Sequence, residues 1–481
     1  MSIAADTNTV RALTTHFIDG ELVESHGSEV MDIVRPTDEQ VIGRVTLADE
    51  EDTKQAIAAA RRAFEKYGMS KPGDRAAVLH RLYVAASTRL DDLRDAMVEE
   101  YGGVVQFAGP IVESAVGAFR ASEEAIAEIP WTRSWGKTTV TMEPTGVAGL
   151  ITAWNANALF ICLKLSSALG AGCTAVVKPS ELSAMQTQVL VEAIQEADLP
   201  EGIVNVVVGR GEVVGAELVR NPDVDKISFT GSVGVGQGIM RDGALTMKRV
   251  TLELGGKSPN IIMNDADLSR AIPSALGAVF LNSGQACAAG TRLLVPQERL
   301  EEVKEAIKDA MVAFPVGNPA DPATAIGPMV TEKQYQRIES YIRKGIEEGA
   351  EVLVGGEGHP DGLESGYFVK PTVFVNVDND MTIAREEIFG PVLSVITYIS
   401  EEDAIRIAND SQYGLHAFVN GADLQRAHWI ASQLRAGRVV INGMADDPQA
   451  PWGGFKYSGF GREYGRYGIE AFLETRAILE A

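Results

Sequence analysis

The spacing of apolar residues changes along the chain and predicts a helical opening third. Apolar residues recur at helical spacing over residues 49–68, where Asp49 and Asp52 form an acidic cap and Gly68 ends the pattern. A second helix is predicted over residues 71–97, with a stop at Gly102-Gly103. A short strand-like opening precedes both helices.

Short apolar runs alternate with helical stretches between Gly146 and Gly256. The predicted strands cover residues 147–152, 175–177, 204–208, 226–229 and 250–254. Strands that are apolar on both faces indicate a parallel sheet covered by helices, with ligands beyond the carboxyl ends of the strands. Residues 258–451 repeat the alternation less cleanly and predict a second α/β domain. Residues 137–142 alternate like an exposed strand, whose free edge invites pairing with another chain.

Composition and charge narrow the class of protein. A chain of 481 residues predicts about three folding units. No apolar run approaches the ~20 residues of a membrane-spanning helix, so a membrane protein is not expected. With 43 Lys and Arg against 66 Asp and Glu, the net charge of −23 disfavours nucleic-acid partners. Three cysteines and a start at residues 1–6 without a leader pattern predict a cytoplasmic protein.

Two residues are candidates for covalent chemistry. Cys287 lies among small residues in Gly284-Gln285-Ala286-Cys287-Ala288-Ala289-Gly290, which leave a thiol approachable. Glu253 ends a buried strand, where burial raises the pKa of a carboxyl toward that of a base near neutral pH. Taken separately, a buried structural cysteine and a capping or ion-paired glutamate remain alternatives. The sequence contains no HExxH, no paired CxxC and no G-x-S-x-G, so a zinc site or a serine nucleophile has little support.

Two further strand ends could hold a nucleotide. The turn at residues 229–236 follows a predicted strand and opens a helix, which presents backbone N–H groups to phosphate, although a structural turn is an equal alternative. Lys178 and Glu181 follow another strand, where a glutamate would bind ribose hydroxyls and disfavour a 2′-phosphate. A helix cap at Ser180 explains the same residues without a ligand.

Together these segments resemble the aldehyde dehydrogenase superfamily, of the NAD(P)-dependent hydrolytic, non-acylating type, from about His16 to about Leu473. The resemblance rests on ordered motifs: Trp154-Asn155, Lys178-Pro179-Ser180-Glu181, Phe229-Thr230-Gly231-Ser232, Glu253-Leu254-Gly255-Gly256-Lys257, Gly284-Gln285-x-Cys287, Glu387-Ile388-Phe389-Gly390-Pro391 and Gly453-Gly454-Phe455-Lys456-x-Ser458-Gly459. It implies an α/β fold with a Rossmann-like NAD-binding domain (residues 1–125 and 145–255) and an α/β catalytic domain (residues 256–455). A small β oligomerisation element (residues 126–144 and 468–481) would make a homodimer or homotetramer.

The resemblance also implies roles for individual residues. Cys287 would be the nucleophile, Glu253 the general base and Asn155 the oxyanion donor, so that an aldehyde is oxidised through a thiohemiacetal and a thioester that Glu253-activated water hydrolyses. The cofactor residues would be Thr152, Trp154, Lys178, Ser180, Glu181, Gly211, Phe229, Thr230, Gly231, Ser232, Leu254, Gly255, Glu387 and Phe389. The aldehyde tunnel would be lined by Ala156, Leu159, Phe160, Leu163, Ala286, Ala288, Met444 and Trp452.

The segment around Asn155 departs from the family pattern, and other activities remain as alternatives. The family commonly has proline at the positions of Ala153 and Asn157, on either side of Trp154-Asn155-Ala156. Both departures bear on the local turn and so on where it places the Asn155 amide. Small tunnel residues favour a medium-sized apolar or aromatic aldehyde. No arginine anchor for an acidic substrate is obvious, although Arg120 or Arg292 could serve. The rival activities are those of a coenzyme A-acylating enzyme, a thioesterase or esterase, and a redox-silent binding protein. For the cofactor, Glu181 favours NAD, and Lys178 leaves NADP as the alternative.

Overall fold

The computed structural model of the chain describes residues 10–480. The predicted absence of a leader at residues 1–6 lies outside the described residues. The strands are β1 (Arg11–Leu13), β2 (Thr15–Ile18), β3 (Glu21–Glu24), β4 (Glu29–Val34), β5 (Val41–Leu47), β6 (Thr132–Trp135), β7 (Thr138–Pro144), β8 (Val147–Ile151), β9 (Thr174–Lys178), β10 (Val204–Val206), β11 (Lys226–Thr230), β12 (Arg249–Glu253), β13 (Pro259–Ile262), β14 (Arg292–Pro296), β15 (Glu351–Val354), β16 (Thr372–Val375), β17 (Val392–Tyr398), β18 (His416–Asn420), β19 (Arg438–Ile441), β20 (Gly459–Phe460) and β21 (Leu473–Leu479).

Helices cover and connect these strands. They are α1 (Glu50–Tyr67), α2 (Pro72–Ser87), α3 (Leu90–Ala96), α4 (Val105–Ala125), α5 (Asn157–Ala171), α6 (Ala184–Glu196), α7 (Ala216–Arg220), α8 (Val233–Gly243), α9 (Leu268–Phe280), α10 (Leu300–Ala310), α11 (Glu332–Glu347), α12 (Thr382–Arg385), α13 (Glu401–Asn409), α14 (Leu424–Gln433) and α15 (Gly465–Glu470). Single π-helical turns occur at Met97–Tyr101 and Gly211–Gly215.

The first helix begins as its sequence predicts. The Asp49 side chain accepts a hydrogen bond from the backbone N–H of Asp52, and the Asp52 carboxylate accepts one from the Asp49 N–H, which is a capping box. The single helix expected over residues 71–97 is wrong, because the chain breaks between α2 and α3. There the Thr88 hydroxyl and backbone N–H both bond the Ala85 carbonyl, and this local pairing ends α2.

An eight-stranded sheet has the order β20-β12-β11-β8-β9-β10-β2-β3. The five strands predicted from residues 147–254 are its neighbouring members β12, β11, β8, β9 and β10, and they pair in parallel. The outer strands, β20 at one edge and β2 with β3 at the other, pair antiparallel, which the expectation of a parallel sheet did not include. Buried residues of α1, such as Ala56 and Ala60, pack with Val147, Val176 and Ile227 against one face.

A second, seven-stranded sheet has the order β15-β16-β17-β14-β13-β18-β19 and is parallel except at β15. It confirms the α/β alternation expected after residue 258. Its two faces are covered by separate clusters of buried apolar residues, one packed around Ile338 and Phe374 and the other around Leu276 and Leu293. A small three-stranded sheet, β1-β5-β4, lies near the start of the chain.

A third element is the antiparallel sheet β21-β7-β6. The strand predicted over residues 137–142 is present as β7, but the expected free edge is wrong. Seven residues of β7, Thr138 to Pro144, pair with β21 on one side, and four of them pair with β6 on the other. The strands with an open edge are therefore β6 and β21, which are largely exposed.

Two of the three cysteines are fully buried, and the third, Cys287, is not. Cys162 and Cys173 are free thiols with no exposed surface, whereas Cys287 is partly accessible. Within residues 10–480, no helix combines the length and hydropathy that a membrane-spanning helix needs, and no group of His, Cys, Asp and Glu side chains is arranged to hold a metal ion.

Candidate active site

The sequence motifs meet at one edge of the eight-stranded sheet. In the parallel register, Ile151 pairs with Lys178 and with Phe229, and Thr230 pairs with Glu253. The carboxyl ends of β8, β9, β11 and β12 are therefore side by side, and the segments that follow them carry Trp154-Asn155, Ser180-Glu181 and Gly231-Ser232. This placement matches the general position of ligand sites in α/β sheets.

The loop that carries Cys287 has an unusual backbone. Asn282, Ser283 and Gly284 have φ values of 52°, 56° and 75°, all in the left-handed region. Two non-glycine residues in this region are held only where the surroundings fix them. Gln285 supplies part of that support, because its side chain donates to the Tyr101 hydroxyl at 3.1 Å and accepts from the Val330 N–H at 3.1 Å.

Close backbone contacts join the motifs around this loop. A β-carbon built on Gly284 would lie 2.2 Å from the Gly390 carbonyl carbon, and one on Gly256 would lie 2.3 Å from the Cys287 oxygen. The Glu387 carboxylate accepts a hydrogen bond from the Gly256 N–H at 2.9 Å. These glycines are required because any side chain would displace the neighbouring backbone. The motifs containing residues 253–257, 284–287 and 387–391 thus form one packed unit.

Asn155 is buried beside the cysteine loop. Its side-chain amide donates to the Gln285 carbonyl at 3.0 Å, and Asn282 donates to the Asn155 carbonyl at 2.8 Å. One of the two amide N–H bonds of Asn155 stays available for a ligand. Asn155 and Cys287 line the same cavity, so the amide and the thiol face a common space.

The departure at Asn157 has a structural role. Its buried side chain accepts a hydrogen bond from Thr152 at 2.8 Å and donates to Thr187 at 3.1 Å. This link ties the end of β8 to helix α6 across the turn that carries Asn155. Asn157 therefore fixes the turn through hydrogen bonds, in a segment where the family commonly has proline.

Glu253 is buried at the end of β12. Neither of its carboxylate oxygens has a hydrogen-bond partner within residues 10–480. Loss of solvation raises the pKa of Glu253 well above its ordinary value, and the negative charge of Glu463 adds to the increase. A β-carbon built on Gly453 would lie 2.8 Å from Glu253 Oε1. The backbone segment that contains Trp452, Gly453 and Gly454 therefore packs closely over this carboxyl.

The pKa of the Cys287 thiol is raised to about 12, first by burial and then by the negative charges of Glu387 and Glu253. Burial also raises the pKa of Glu387 to about 7. A thiol with this pKa is protonated at neutral pH and needs a base or a nearby positive charge to become a nucleophile.

A cavity of about 710 Å³ opens beside Cys287. All eight predicted tunnel residues line it: Ala156, Leu159, Phe160, Leu163, Ala286, Ala288, Met444 and Trp452. Sequence reasoning missed further lining residues, among them Phe107, Ile111, Phe280, His416, Phe418, Arg438 and Tyr464. Phe107 and Ile111 lie on α4, His416 and Phe418 on β18, and Arg438 on β19. These elements are far apart in the sequence, so no local pattern could have assigned their residues to this cavity.

Neither arginine considered for an acidic substrate reaches the cavity lining. Arg292 is fully buried and bonds the carbonyls of Lys257, Ile407 and Ala408. Arg120 is exposed on α4 and pairs with Glu124. The arginine that does line the cavity is Arg438.

The residues expected to contact adenosine and nicotinamide form two separate groups of contacts. Lys178 donates to Glu181 at 2.9 Å, and Arg210, which the sequence did not single out, lies 3.8 Å from Glu181. The Trp154 ring meets the Phe389 ring at a centroid distance of 5.3 Å. Trp154 and Phe389, which are distant in sequence, are thus brought together.

The glycine-rich turn opens helix α8. Ser232 caps this helix by accepting from the Val235 N–H, and the Phe229 ring packs beside Gly231. The buried Thr230 hydroxyl has no partner within residues 10–480. Four predicted cofactor residues remain. Ser180 caps a short helical turn, Gly211 has open space around its β-carbon position, and the Leu254 side chain is buried. Gly255 lies under the Glu387 carboxylate.

Comparisons with known proteins agree with this geometry. The model described as "Aldehyde dehydrogenase family" matches residues 22–478. A 3-succinoylsemialdehyde-pyridine dehydrogenase from a Pseudomonas species is 43% identical over 96% of this chain and 98% of its own. Aldehyde dehydrogenase C of Pseudomonas syringae, solved as a mutant with NAD+ and octanal, superposes with a TM-score of 0.96 at 40% identity, covering 99% and 98% of the two chains. A Mycobacterium tuberculosis aldehyde dehydrogenase with NAD+ gives 0.94 at 41% identity, covering 98% and 99%. This chain therefore belongs to the aldehyde dehydrogenase family.

Proposed function

We propose that this enzyme oxidises a medium-sized apolar or aromatic aldehyde to its carboxylic acid with NAD. Cys287 is the nucleophile, Asn155 the oxyanion donor and Glu253 the general base. The observation that carries the proposal is that the Cys287 thiol and the Asn155 amide line one apolar cavity at the carboxyl end of the parallel strands. The buried Glu253 carboxyl, which has no hydrogen-bond partner among residues 10–480, lies at the end of the neighbouring strand β12.

The chain's residues divide the reaction into two steps. The Cys287 thiol gives its proton to solvent water and the thiolate sulfur adds to the aldehyde carbon; the oxygen that becomes negative is met by the free N–H of the Asn155 amide and by the Cys287 backbone N–H. Loss of hydride from this thiohemiacetal leaves a thioester. Glu253 then takes a proton from water, which attacks the thioester carbon and releases the acid and the Cys287 thiol.

NAD is the hydride acceptor, and the residues present fit it. The N-terminus of the eleven-residue helix α8 offers N–H groups to phosphate, and Glu181 offers a carboxylate to ribose hydroxyls. Open space around the β-carbon positions of Gly211 and Gly234 leaves room for a ligand near the backbone. Trp154, Ser232, Gly231 and Thr230 would lie near the pyrophosphate, and Glu387 and Phe389 near the nicotinamide ribose. Lys178 and Arg210 keep NADP as the alternative.

The cavity and the relatives support the substrate class. The lining is dominated by alanine, leucine and aromatic side chains, which favours apolar chains over charged ones. One relative carries octanal, and the name of another refers to a pyridine semialdehyde. Both substrates are larger than acetaldehyde.

The organisation of the subunit is part of the same proposal. Residues 1–125 and 145–255 form the NAD-binding domain, residues 256–455 the catalytic domain, and residues 126–144 and 468–481 the oligomerisation element. The open edges of β6 and β21 offer backbone groups for pairing with a second copy, in a homodimer or homotetramer. Three free cysteines favour the cytoplasm.

NADH formation at 340 nm, measured with NAD and aldehydes from short aliphatic to aromatic, tests the activity. The wild type should reduce NAD with at least one aldehyde, and Cys287→Ala should abolish this. Cys162→Ala is the matched control, because Cys162 is fully buried and is not among the residues that line the cavity. Absence of NADH from every aldehyde, with acyl transfer to added coenzyme A or thioester hydrolysis instead, would favour one of the rival activities.

A further inference from the structure

His416 has an unusual environment for a buried polar side chain. It lies on β18 with 6% of its surface exposed, and it lines the cavity that contains Cys287. Neither ring nitrogen has a hydrogen-bond partner within residues 10–480. Buried polar groups are usually paired, so an imidazole with two open nitrogens beside a ligand cavity indicates a partner supplied by the ligand.

The side chains around His416 fix where its ring lies. It stacks on Phe418, two residues along the same face of β18, with ring centroids 4.7 Å apart, and it lies 5.9 Å from the Trp452 ring. Both aromatic residues also line the cavity. Leu415, the preceding residue, approaches the same Gly256 position that contacts the Cys287 carbonyl. Together with Phe418 and Trp452, the His416 ring forms part of the wall of the cavity that Cys287 also lines.

Arg438 is nearby but is already satisfied. Its guanidinium bonds Asp446 and the carbonyls of Pro451, Asp447 and Ala450, and it lies over the Trp452 ring. The ion pair with Asp446 offsets part of its charge. Burial and the charge of Arg438 lower the pKa of His416 to about 4, so the imidazole is neutral at physiological pH and offers one N–H donor and one lone pair.

We propose that His416 is a specificity-determining residue that hydrogen-bonds a neutral acceptor, such as a ketone oxygen, on the aldehyde's chain. This inference rests on the proposed function and names the substrate class within it: apolar aldehydes with one uncharged acceptor at a set distance from the aldehyde carbon. The aromatic rings hold the apolar part of the chain, and the imidazole N–H meets the acceptor. A carboxylate on the substrate is disfavoured, because the Arg438 guanidinium is already paired with Asp446.

The physical basis is the cost of an unpaired group in an apolar space. An acceptor that enters the cavity loses its water and gains a partner only where His416 reaches it. The benefit must therefore depend on the position of the acceptor along the chain. A merely structural histidine would affect every aldehyde alike.

The test compares kcat/KM for heptanal with that for 4-oxoheptanal, 5-oxoheptanal and 6-oxoheptanal, using NAD. In the wild type, one oxo isomer should exceed the other two by about tenfold, relative to heptanal. His416→Phe, which keeps an aromatic ring on Phe418, should erase this difference when each oxo isomer is compared with heptanal in the same variant. His416→Gln should restore part of the preference. The control Phe107→Leu, at another aromatic residue of the cavity lining, on α4, should change all four aldehydes by similar factors.

The outcomes separate this inference from the proposed function. Equal kcat/KM for the three oxo isomers in the wild type, or a preference that survives in His416→Phe, overturns the role of His416 while heptanal oxidation still supports the activity. Should His416→Phe fail to fold, as judged by its thermal transition, the wild-type comparison and His416→Gln decide. Failure of the wild type to oxidise heptanal or any other aldehyde, with NADH absent throughout, overturns the proposed function itself.

Discussion

The side-chain amide of Asn155 donates a hydrogen bond to the carbonyl of Gln285 at 3.0 Å, two residues before Cys287. These residues are 130 positions apart in sequence. The bond fixes the amide plane relative to the cysteine loop and uses one of the two amide N–H groups of a residue that lines the same cavity as Cys287. An oxyanion donor is effective when it is held in place before the charge develops.

Asn155→Ala should lower kcat by a hundredfold to a thousandfold, about 3 kcal/mol of transition-state stabilisation, with a smaller effect on KM. Steady-state kinetics with the best aldehyde and NAD measure this. Asn264→Ala, at an exposed position after β13, should behave like the wild type. An equal loss in both variants, or a loss confined to KM, would contradict the assigned role.

Glu253→Gln should separate the two steps, because the amide keeps the shape of the carboxyl but cannot accept a proton. We expect a single burst of NADH followed by steady-state turnover slower by about a hundredfold or more, with an acyl group retained on Cys287. Rapid-mixing absorbance and intact mass measure the burst and the adduct. Glu402→Gln, exposed on α13, is the matched control. Linear, fast NADH formation without an adduct would show that another group activates the water.

Glu181→Gln should shift cofactor preference toward NADP. Glu181 pairs with Lys178 and lies near Arg210, so removal of its charge frees Lys178 for a 2′-phosphate and takes a repelling carboxylate from the site, while Arg210 stays paired with Glu29. The ratio of kcat/KM for NADP to that for NAD should rise about tenfold or more. Glu212→Gln, exposed beside Arg210 in sequence, is the control. A wild type that already prefers NADP several-hundredfold would overturn the assignment of Glu181.

Alkylation of Cys287 should speed up steeply with pH. Burial and the charges of Glu387 and Glu253 raise its thiol pKa to about 12, so the thiol is neutral below that pKa and the thiolate fraction grows about tenfold per pH unit over the accessible range. Iodoacetamide rates between pH 7 and 10, without added NAD and followed by peptide mass spectrometry, test this. The fully buried Cys162 and Cys173 should stay unmodified. A rate that levels off below about pH 8 would show a lower pKa.

Catalytic efficiency should increase along the straight-chain aldehydes from two to eight carbons. Each methylene that enters the apolar cavity contributes up to about 0.8 kcal/mol, so octanal, with about six more methylenes, should exceed acetaldehyde by about a hundredfold to a few thousandfold in kcat/KM. Initial rates with NAD at subsaturating aldehyde give the series. Ala286→Ser, a small change in the lining, should leave the trend intact. Equal efficiency for acetaldehyde and octanal would remove the assignment of substrate size.

The sequence by itself determined the local elements and the chemistry they carry. Periodicity located the five parallel strands of the first sheet, and the Asp49–Asp52 pair predicted the start of α1, because both depend on neighbours in the chain. Where competing local bonds decide, the prediction was wrong: Thr88 ends α2 within the expected helix. The motifs named Cys287, Glu253 and Asn155 but not the distances between them.

Only the tertiary structure decided how these residues meet. The left-handed backbone at Asn282 and Ser283 is held by contacts with distant segments, and the raised pKa of Cys287 comes from burial and from charges on other elements. Packing also made β7 a central strand, excluded Arg120 and Arg292 from the cavity, and placed His416 and Arg438 in its wall. Such features depend on which distant segments share a space, and that is set by the order of strands in the sheets rather than by any local pattern.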